Sequence, residues 1–318
     1  MIAINLAIIE KKQGMYIDSR LSDHPVKESF MPNVKIFTDS TSDMPQGWKE
    51  SYDIGVVPLY VVFEDATYRD GVDITPAEVY RKVAAAGALP KTAAPSPADF
   101  MNAFAPAVEE GRDIVYLSLS SALSSTYQNA RLAAEEFPPG RVKVVDSGTL
   151  CGGIALLAVK AAKAALKGRS SGEIISMLEQ SRGRLSTEFV IDTLDYLHMG
   201  GRCSGMQNFI GSLLKIRPVL RLVNGSIIPV SKVRGKKEKA VEQMLSHALS
   251  DIDRMDKELL IVAHTQAEKD AKFLVDALKE ATRAEEVAVI EAGCVIGSHC
   301  GPNTVGMMYL TNGSRDTK

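Results

Sequence analysis

Hydroxyl side chains that could bind an anion are concentrated in loops that follow apolar, strand-like segments. Residues 39–43 (DSTSD) follow one such segment, and the serine-rich residues 118–126 follow another. In an open α/β sheet, ligands bind beyond the carboxyl ends of the strands. Ser124 and Ser125 also stand where a helix is predicted to begin, and the free amides of a helix start favour an anion. The same hydroxyls can simply cap their own helix, so the residues alone leave both interpretations open.

Four other polar residues are candidates for a binding site: Thr92, Ser96, Arg202 and His299. Ser96 precedes a proline and is favoured as a helix cap, whereas Thr92 is less easily explained in that way. Arg202 follows a Gly-Gly pair that is predicted to end a helix, and His299 is predicted to lie on a glycine- and proline-rich loop. A hydrolase or transferase that uses Ser124 as nucleophile and His299 as base is the alternative function.

Several well-known catalytic motifs are missing from the sequence. It contains no P-loop, no G-x-G-x-x-G, no G-x-S-x-G and no H-E-x-x-H, which argues against nucleotide, serine-hydrolase and zinc chemistry. Cys294, His299 and Cys300 offer three soft ligands without an obvious fourth, so we predict no metal and no cofactor. Cys151 and Cys203 complete the set of four cysteines, and without a C-x-x-C pair we expect reduced thiols.

Composition narrows the class of protein further. The 318 residues include 37 Lys+Arg and 39 Asp+Glu, a net charge of −2, so nucleic acid is not an expected partner. Hydrophobic residues make up 45%, which excludes disorder as the main state. We expect no integral membrane segment and a cytoplasmic protein, because no apolar run is long enough to span a bilayer. Residues 1–32 lack the pattern of a secretory signal and are predicted to be a loosely ordered N-terminal extension.

The elements that must position these residues alternate between strands and helices through residues 33–168. Strands are predicted at 34–38, 54–62, 113–119 and 142–145, and helices at 76–86, 97–110, 125–136 and 150–167. Such alternation predicts an α/β domain with a mostly parallel sheet. Residues 169–318 contain a hairpin about Asn224-Gly225, the strongest two-residue turn signal, together with several helices, one of them around 206–213. We predict an α+β domain there, with the boundary at 168/169.

Five segments, taken in order, resemble the DegV family. They are DSTSD at 39–43, KTAAPS at 91–96, SSALSSTY at 120–127, DTLDYLHMGGR at 192–202 and GSHCGP at 297–302. Each segment is weak evidence alone, but five in the family's order are specific. They extend over nearly the whole chain apart from the N-terminal extension.

The resemblance implies a Rossmann-like α/β domain and a smaller α+β domain with a long-chain fatty acid between them. It implies that Thr92 and Ser124 bond the carboxylate, while His299 and Arg202 help to hold the head-group end. It further implies a partner, the catalytic subunit of a fatty acid kinase, which makes an acyl phosphate from the presented acid. In that scheme the present chain is a carrier and not an enzyme.

The candidate ligand-binding set also includes Ser96 and Ser125, which belong to the same hydroxyl-rich segments. The sequence departs from the family's usual pattern at Ala93 and Ala94, where a serine and a glutamine are common. Because a hydroxyl and an amide are lost near the head group, we expect the ligand preference or the choice of partner to differ.

Overall fold

The computed structural model describes residues 32–202 and 216–313, and the counts below refer to those ranges. The predicted helix around 206–213 lies outside the described residues, as do residues 1–31 of the predicted extension.

The first sheet has four parallel strands in the order β2-β1-β6-β7. These strands are β1 (Val34–Asp39), β2 (Ile54–Val57), β6 (Asp113–Ser118) and β7 (Val142–Asp146). β1 is central, with Thr38 opposite both Val56 of β2 and Leu117 of β6. The parallel order confirms the predicted α/β class, and the carboxyl ends of all four strands meet at one edge of the sheet.

A small antiparallel sheet follows in the order β4-β3-β5, formed by β3 (Tyr60–Val62), β4 (Thr67–Arg69) and β5 (Lys91–Ala93). The single strand predicted at 54–62 is therefore wrong, because the structure divides it into β2 and β3. Pro58 lies at the division and has no N–H to donate to a strand ladder.

The helices of this part are α1 (Gln46–Ser51), α2 (Pro76–Ala86), α3 (Pro97–Glu109), α4 (Thr126–Ala134) and α5 (Gly152–Leu166). Capping boxes begin α2 and α3, and the second confirms the helix cap that the sequence favoured at Ser96. The Thr75 hydroxyl accepts from the Glu78 N–H at the start of α2, and the Ser96 hydroxyl accepts from the Asp99 N–H at the start of α3.

The second sheet has six strands in the order β10-β9-β8-β13-β11-β12. They are β8 (Leu185–Val190), β9 (Ile216–Val223), β10 (Ser226–Arg234), β11 (Leu259–Thr265), β12 (Glu286–Glu291) and β13 (Thr304–Leu310). The sheet is mixed, since β11 and β12 are parallel and the other pairs are antiparallel. β9 and β10 form the predicted hairpin, and Asn224 and Gly225 at its turn have φ of 49° and 79°.

The helices of this part of the chain are α6 (Ser171–Arg182), α7 (Asp195–Met199), α8 (Lys237–Ser250), α9 (Glu268–Thr282) and α10 (Cys294–Cys300). Of these, α8 and α9 pack on the mixed sheet, whereas α6 contacts α5 and β6 of the parallel sheet. The sheet and its helices form a mixed-sheet domain separate from the parallel-sheet domain, as predicted. No helix in either described range is long and apolar enough to cross a membrane.

The Ala-rich helix α5 packs against both large sheets. It contacts β1 of the parallel sheet and β11 and β13 of the mixed sheet, and most of its residues are buried. A Cβ atom at Gly152 would lie 2.6 Å from Ile261 Cγ2, so only glycine allows this close approach. A helix that is apolar on all sides requires burial on all sides. The boundary at 168/169, just beyond α5, stays a prediction.

Candidate functional site

A cavity of about 290 Å³, here called the first cavity, contains most of the polar residues singled out in the sequence. Its apolar lining comes from several separate chain segments and includes Leu59, Leu119, Leu123, Leu150, Leu197 and Ile227. Its polar lining includes Thr92, Ser124, Ser125, Arg202 and His299. The structure therefore brings together five of the six predicted site residues.

Thr92 and His299 are joined by a hydrogen bond across 207 residues of sequence. Thr92 lies on β5, opposite Val61 of β3, and its Oγ1 is 2.8 Å from His299 Nε2. The short β5 was not predicted, yet pairing with β3 is what holds the Thr92 hydroxyl against the histidine.

His299 is in the last turn of α10, so the loop predicted around it is wrong. α10 has no side-chain cap of its own. Two buried carboxylates of the parallel-sheet domain cap it instead: Asp43 Oδ1 accepts from the Gly293 N–H and Asp70 Oδ1 from the Cys294 N–H, each at 2.8 Å. These tertiary contacts satisfy the free amides at the start of α10, and the local sequence does not predict them.

The environment of His299 keeps its imidazole neutral at pH 7. Burial, followed by the charge of Arg202, lowers the pKa of His299 to about 4. Its Nδ1 is buried and has no hydrogen-bond partner in the described part of the chain. A Cβ atom at residue 200 would overlap Nδ1, so Gly200 is needed here for space.

Arg202 links the end of α7 to the loop that carries Ser124. Its Nε donates to the Leu123 carbonyl at 3.2 Å and its Nη1 to the Gly200 carbonyl at 2.5 Å. Within residues 32–202 and 216–313, no carboxylate is paired with this guanidinium. Its charge is therefore available to an anion in the first cavity.

Ser124 both lines the cavity and caps a helix, so the two interpretations of the sequence are compatible. Its Oγ accepts from the Thr126 N–H at 3.3 Å and lies 2.8 Å from Thr126 Oγ1. When Thr126 is the donor of the second bond, the Ser124 proton is free for a ligand. Ser125 occupies the N-cap position of α4 without a side-chain bond, and it also lines the cavity.

Ser96 does not line the first cavity. Its hydroxyl donates to Asp99 Oδ2 at 2.8 Å and accepts from the Asp99 N–H at 3.2 Å in the capping box of α3. The structure thus places Ser96 in the capping role that its sequence context favoured.

Ser124 and His299 do not form the nucleophile–base contact of a hydrolase. Ser124 Oγ bonds Thr126 and His299 Nε2 bonds Thr92, with no hydrogen bond between the two side chains. No group of metal-ligating side chains occurs among the described residues. Cys151, Cys294 and Cys300 are free and buried, and burial raises the pKa of the Cys300 thiol to about 12. Such a thiol is unreactive near neutral pH.

The apolar lining was not predicted residue by residue. Leu119 and Leu123 belong to the hydroxyl-rich segment 118–126 that the sequence did identify, so position in that segment was a usable signal. Leu197 and Ile227 come from the mixed-sheet domain and carry no such signal.

The fold and the first cavity together define a protein with a parallel-sheet α/β domain, a separate mixed-sheet domain and a mainly apolar cavity. A family model described as "Uncharacterised protein, DegV family" matches residues 33–312. The chain belongs to the DegV family.

Its relatives include proteins described by a ligand. A protein of Thermotoga maritima described as "Fatty acid-binding protein" is 38% identical over 279 residues, which are 86% of this chain and 96% of the relative. A DegV domain-containing protein of Caldanaerobacter subterraneus is 34% identical over 280 residues, 88% of this chain and 99% of the relative.

Solved structures agree with this assignment. A structure described as "Fatty Acid Binding of a DegV family Protein from Thermus thermophilus" superposes with a TM-score of 0.83 at 36% identity and covers 88% of this chain and 100% of that one. A DegV lipid-binding protein from Thermotoga maritima has a TM-score of 0.79 at 35% identity and covers 90% and 100% of the two chains.

Proposed function

We propose that the first cavity binds a long-chain fatty acid, with the carboxylate held by Thr92 and Ser124. The observation that carries this proposal is a connected set of polar groups at one otherwise apolar cavity. Thr92 bonds His299, His299 lies against Gly200, and Arg202 bridges Gly200 to the residue before Ser124. We call Thr92, Ser124, Arg202 and His299 the polar end of the first cavity.

The apolar lining supports binding of the tail. Removing an acyl chain from water is worth roughly 0.8 kcal/mol per methylene, so about 14 methylenes give on the order of 11 kcal/mol. Association costs about 4–15 kcal/mol, so the tail supplies affinity and the polar end supplies orientation.

The polar end matches an ionised carboxylate. A buried carboxylate must be hydrogen-bonded, and the two hydroxyls can donate to it while Arg202 balances its charge. Neutral His299 can donate from Nε2 to Thr92 Oγ1, which leaves the Thr92 proton for the ligand. The hydroxyl orients the ligand and the imidazole orients the hydroxyl.

The relatives support the ligand class, since proteins of Thermotoga maritima and Thermus thermophilus are described as binding fatty acids. We further propose that the chain acts in the cytoplasm as a carrier, and that a fatty acid kinase phosphorylates the carboxylate it presents. In this role the chain holds the acid and breaks no bond of its own.

Deleting the two hydroxyls tests the carboxylate assignment. Hydrogen bonds to a charged group contribute about 1.5–3 kcal/mol each, so Thr92→Val and Ser124→Ala should each weaken palmitate binding roughly 10- to 150-fold. Both variants should lose the preference for palmitate over hexadecanol, because the tail still enters. Calorimetry or displacement of a fluorescent lipid measures both ligands.

Ser170→Ala is the matched control, because Ser170 caps α6 and does not line the first cavity. Its loss should cost about 1 kcal/mol of stability and leave palmitate affinity unchanged. If Thr92→Val and Ser124→Ala bind palmitate as the parent does and still prefer it to hexadecanol, the carboxylate assignment is wrong.

The carrier role has a separate test. Purified protein loaded with palmitate should yield acyl phosphate only when a fatty acid kinase and ATP are both added. Turnover of an ester or of the acid by the chain alone would contradict the role of a carrier.

A further inference from the structure

A second cavity of about 310 Å³ lies next to the first and has a different lining. Its polar lining includes Ser147, Thr149, Glu179, Arg182, Thr187 and Asn224. The predicted fatty acid site uses none of these residues.

The hairpin turn separates the two cavities. Ser120 Oγ donates to the Gly225 carbonyl at 2.8 Å, and the Ser120 N–H donates to the Thr149 carbonyl at 3.0 Å. Thr149 lines the second cavity while its neighbour Leu150 lines the first. The second cavity is therefore a distinct space, placed beyond the carboxyl end of β7, where ligands of parallel sheets bind.

Three residues with buried hydroxyls line the second cavity. Ser147, Thr149 and Thr187 are 2%, 1% and 0% exposed. Thr149 Oγ1 and Thr187 Oγ1 are 2.9 Å apart, and one proton satisfies that bond. The other hydroxyl of the pair keeps a proton that it can donate to a ligand.

Two opposite charges flank these hydroxyls. Glu179 and Arg182 stand three residues apart on α6, and both line the cavity. In the part of the chain that the structure describes, neither side chain forms a hydrogen bond or an ion pair with another residue. The Arg182 guanidinium lies over Gly148 in the loop after β7. A Cβ atom at position 148 would be 3.4 Å from Arg182 Nε, and the φ of 64° there also favours glycine.

We propose that the second cavity binds a small hydroxylated anion, a phosphate or carboxylate that also carries alcohol groups. Arg182 presents the planar donor pair that such an anion accepts. Glu179 accepts hydrogen bonds only, so it favours a ligand with a hydroxyl donor and disfavours a bare anion. The Thr149–Thr187 pair completes the recognition of a hydroxyl.

Three probes and two variants test this proposal by calorimetry: glycerol 2-phosphate, inorganic phosphate and glycerol. Glycerol 2-phosphate should bind most tightly because it alone combines an anion with alcohol groups. Arg182→Gln should weaken its binding at least about 10-fold, the loss of one charged hydrogen bond. Glu179→Gln should weaken glycerol 2-phosphate about 5- to 10-fold without weakening inorganic phosphate, so that the preference between the two disappears.

Arg169→Gln is the matched control. Arg169 precedes the same helix and is paired with Glu173, outside the cavity lining, so its loss should leave all three titrations unchanged. Arg169, Glu179 and Arg182 are all exposed, so their substitution should not unfold the protein. Thermal melts check that each variant is folded. The proposal fails if glycerol 2-phosphate does not bind at about 10 mM, a very weak affinity. It also fails if Arg182→Gln binds the probe as the parent does, or if Arg169→Gln weakens it equally.

Discussion

The first and second cavities have nearly equal volumes, about 290 and 310 Å³, and opposite linings. They lie on either side of one contact, the hydrogen bond from Ser120 to Gly225. Adjacent residues of one loop face different cavities, Thr149 the second and Leu150 the first. The edge of the parallel sheet contributes to both cavities, whereas the side chains supplied by each loop give the two cavities their different linings.

The largest expected effect comes from introducing a carboxylate into the apolar lining of the first cavity. Leu123→Glu places a carboxylate beside Arg202, where it competes with the proposed ligand carboxylate for the guanidinium charge. Together with the cost of burying a further charge, this should weaken palmitate binding about 100-fold or more. Fluorescent-lipid displacement measures the loss.

Leu185→Glu is the matched control for this change. Leu185 is half-buried like Leu123 but lines the second cavity, so palmitate affinity should stay within about twofold of the parent. An equal loss in both variants would show that the two cavities do not differ in the way proposed here.

The second largest effect on palmitate binding is expected from filling the space beside the His299 imidazole. Gly200→Ala adds a Cβ atom that overlaps His299 Nδ1, so the ring must move and its bond to Thr92 is lost. Palmitate should bind roughly 10- to 100-fold more weakly, because the carboxylate loses an oriented hydroxyl. Calorimetry with palmitate and with glycerol 2-phosphate should show the loss for palmitate alone.

Gly172→Ala, at an exposed position of α6 with free space around it, should leave palmitate binding unchanged. Palmitate binding by Gly200→Ala at parental affinity would contradict the role given to His299.

The smallest expected effect is on stability as a function of pH. The pKa of His299 is about 4 in the folded protein and about 6.5 when unfolded, so the unfolded state binds more protons between these values. The contribution of neutral His299 is fully present above pH 6.5 and is lost as pH falls toward 4. Relative to His299→Asn, the parent should lose about 1–2 kcal/mol of unfolding free energy between pH 7 and pH 5.

Urea denaturation of both proteins at pH 7, 6 and 5 gives that difference. Parallel curves for parent and variant would show that His299 titrates normally and that its burial has no such cost. No histidine occurs among the described lining residues of the second cavity, so that cavity adds no histidine titration to these curves.

Local sequence signals predicted the elements that hold the site. The helix cap at Ser96 and the Asn224-Gly225 turn are confirmed because their geometry depends on neighbouring residues only. The alternation of strands and helices predicted the parallel sheet because parallel neighbours need a long crossover connection, which is usually a helix. The resemblance to the DegV family implied that Thr92 lies at one site with Ser124, Arg202 and His299, which are distant from it in sequence.

Features that depend on distant contacts were missed. The helix carrying His299 has only seven residues and is capped by Asp43 and Asp70, more than 200 residues earlier in the chain. The second cavity was not predicted at all, because Glu179 and Arg182 look like ordinary exposed charges of an amphipathic helix. Glu179 and Arg182 line a cavity only because folding places them beside the loop after β7 and the hairpin turn.

Helix α5 makes the two large sheets interdependent in folding. One side of it packs on β1 and the other on β11 and β13, with Gly152 pressed against Ile261. A fragment that stopped at residue 168 would keep the helix and leave its second apolar side in water, at roughly 25 cal/mol per Å² exposed. The mixed sheet alone would lack α5, and the surface of β11 and β13 that α5 covers would be exposed to water. We therefore expect the two halves to unfold as one cooperative unit, in a single transition, although each has a sheet of its own.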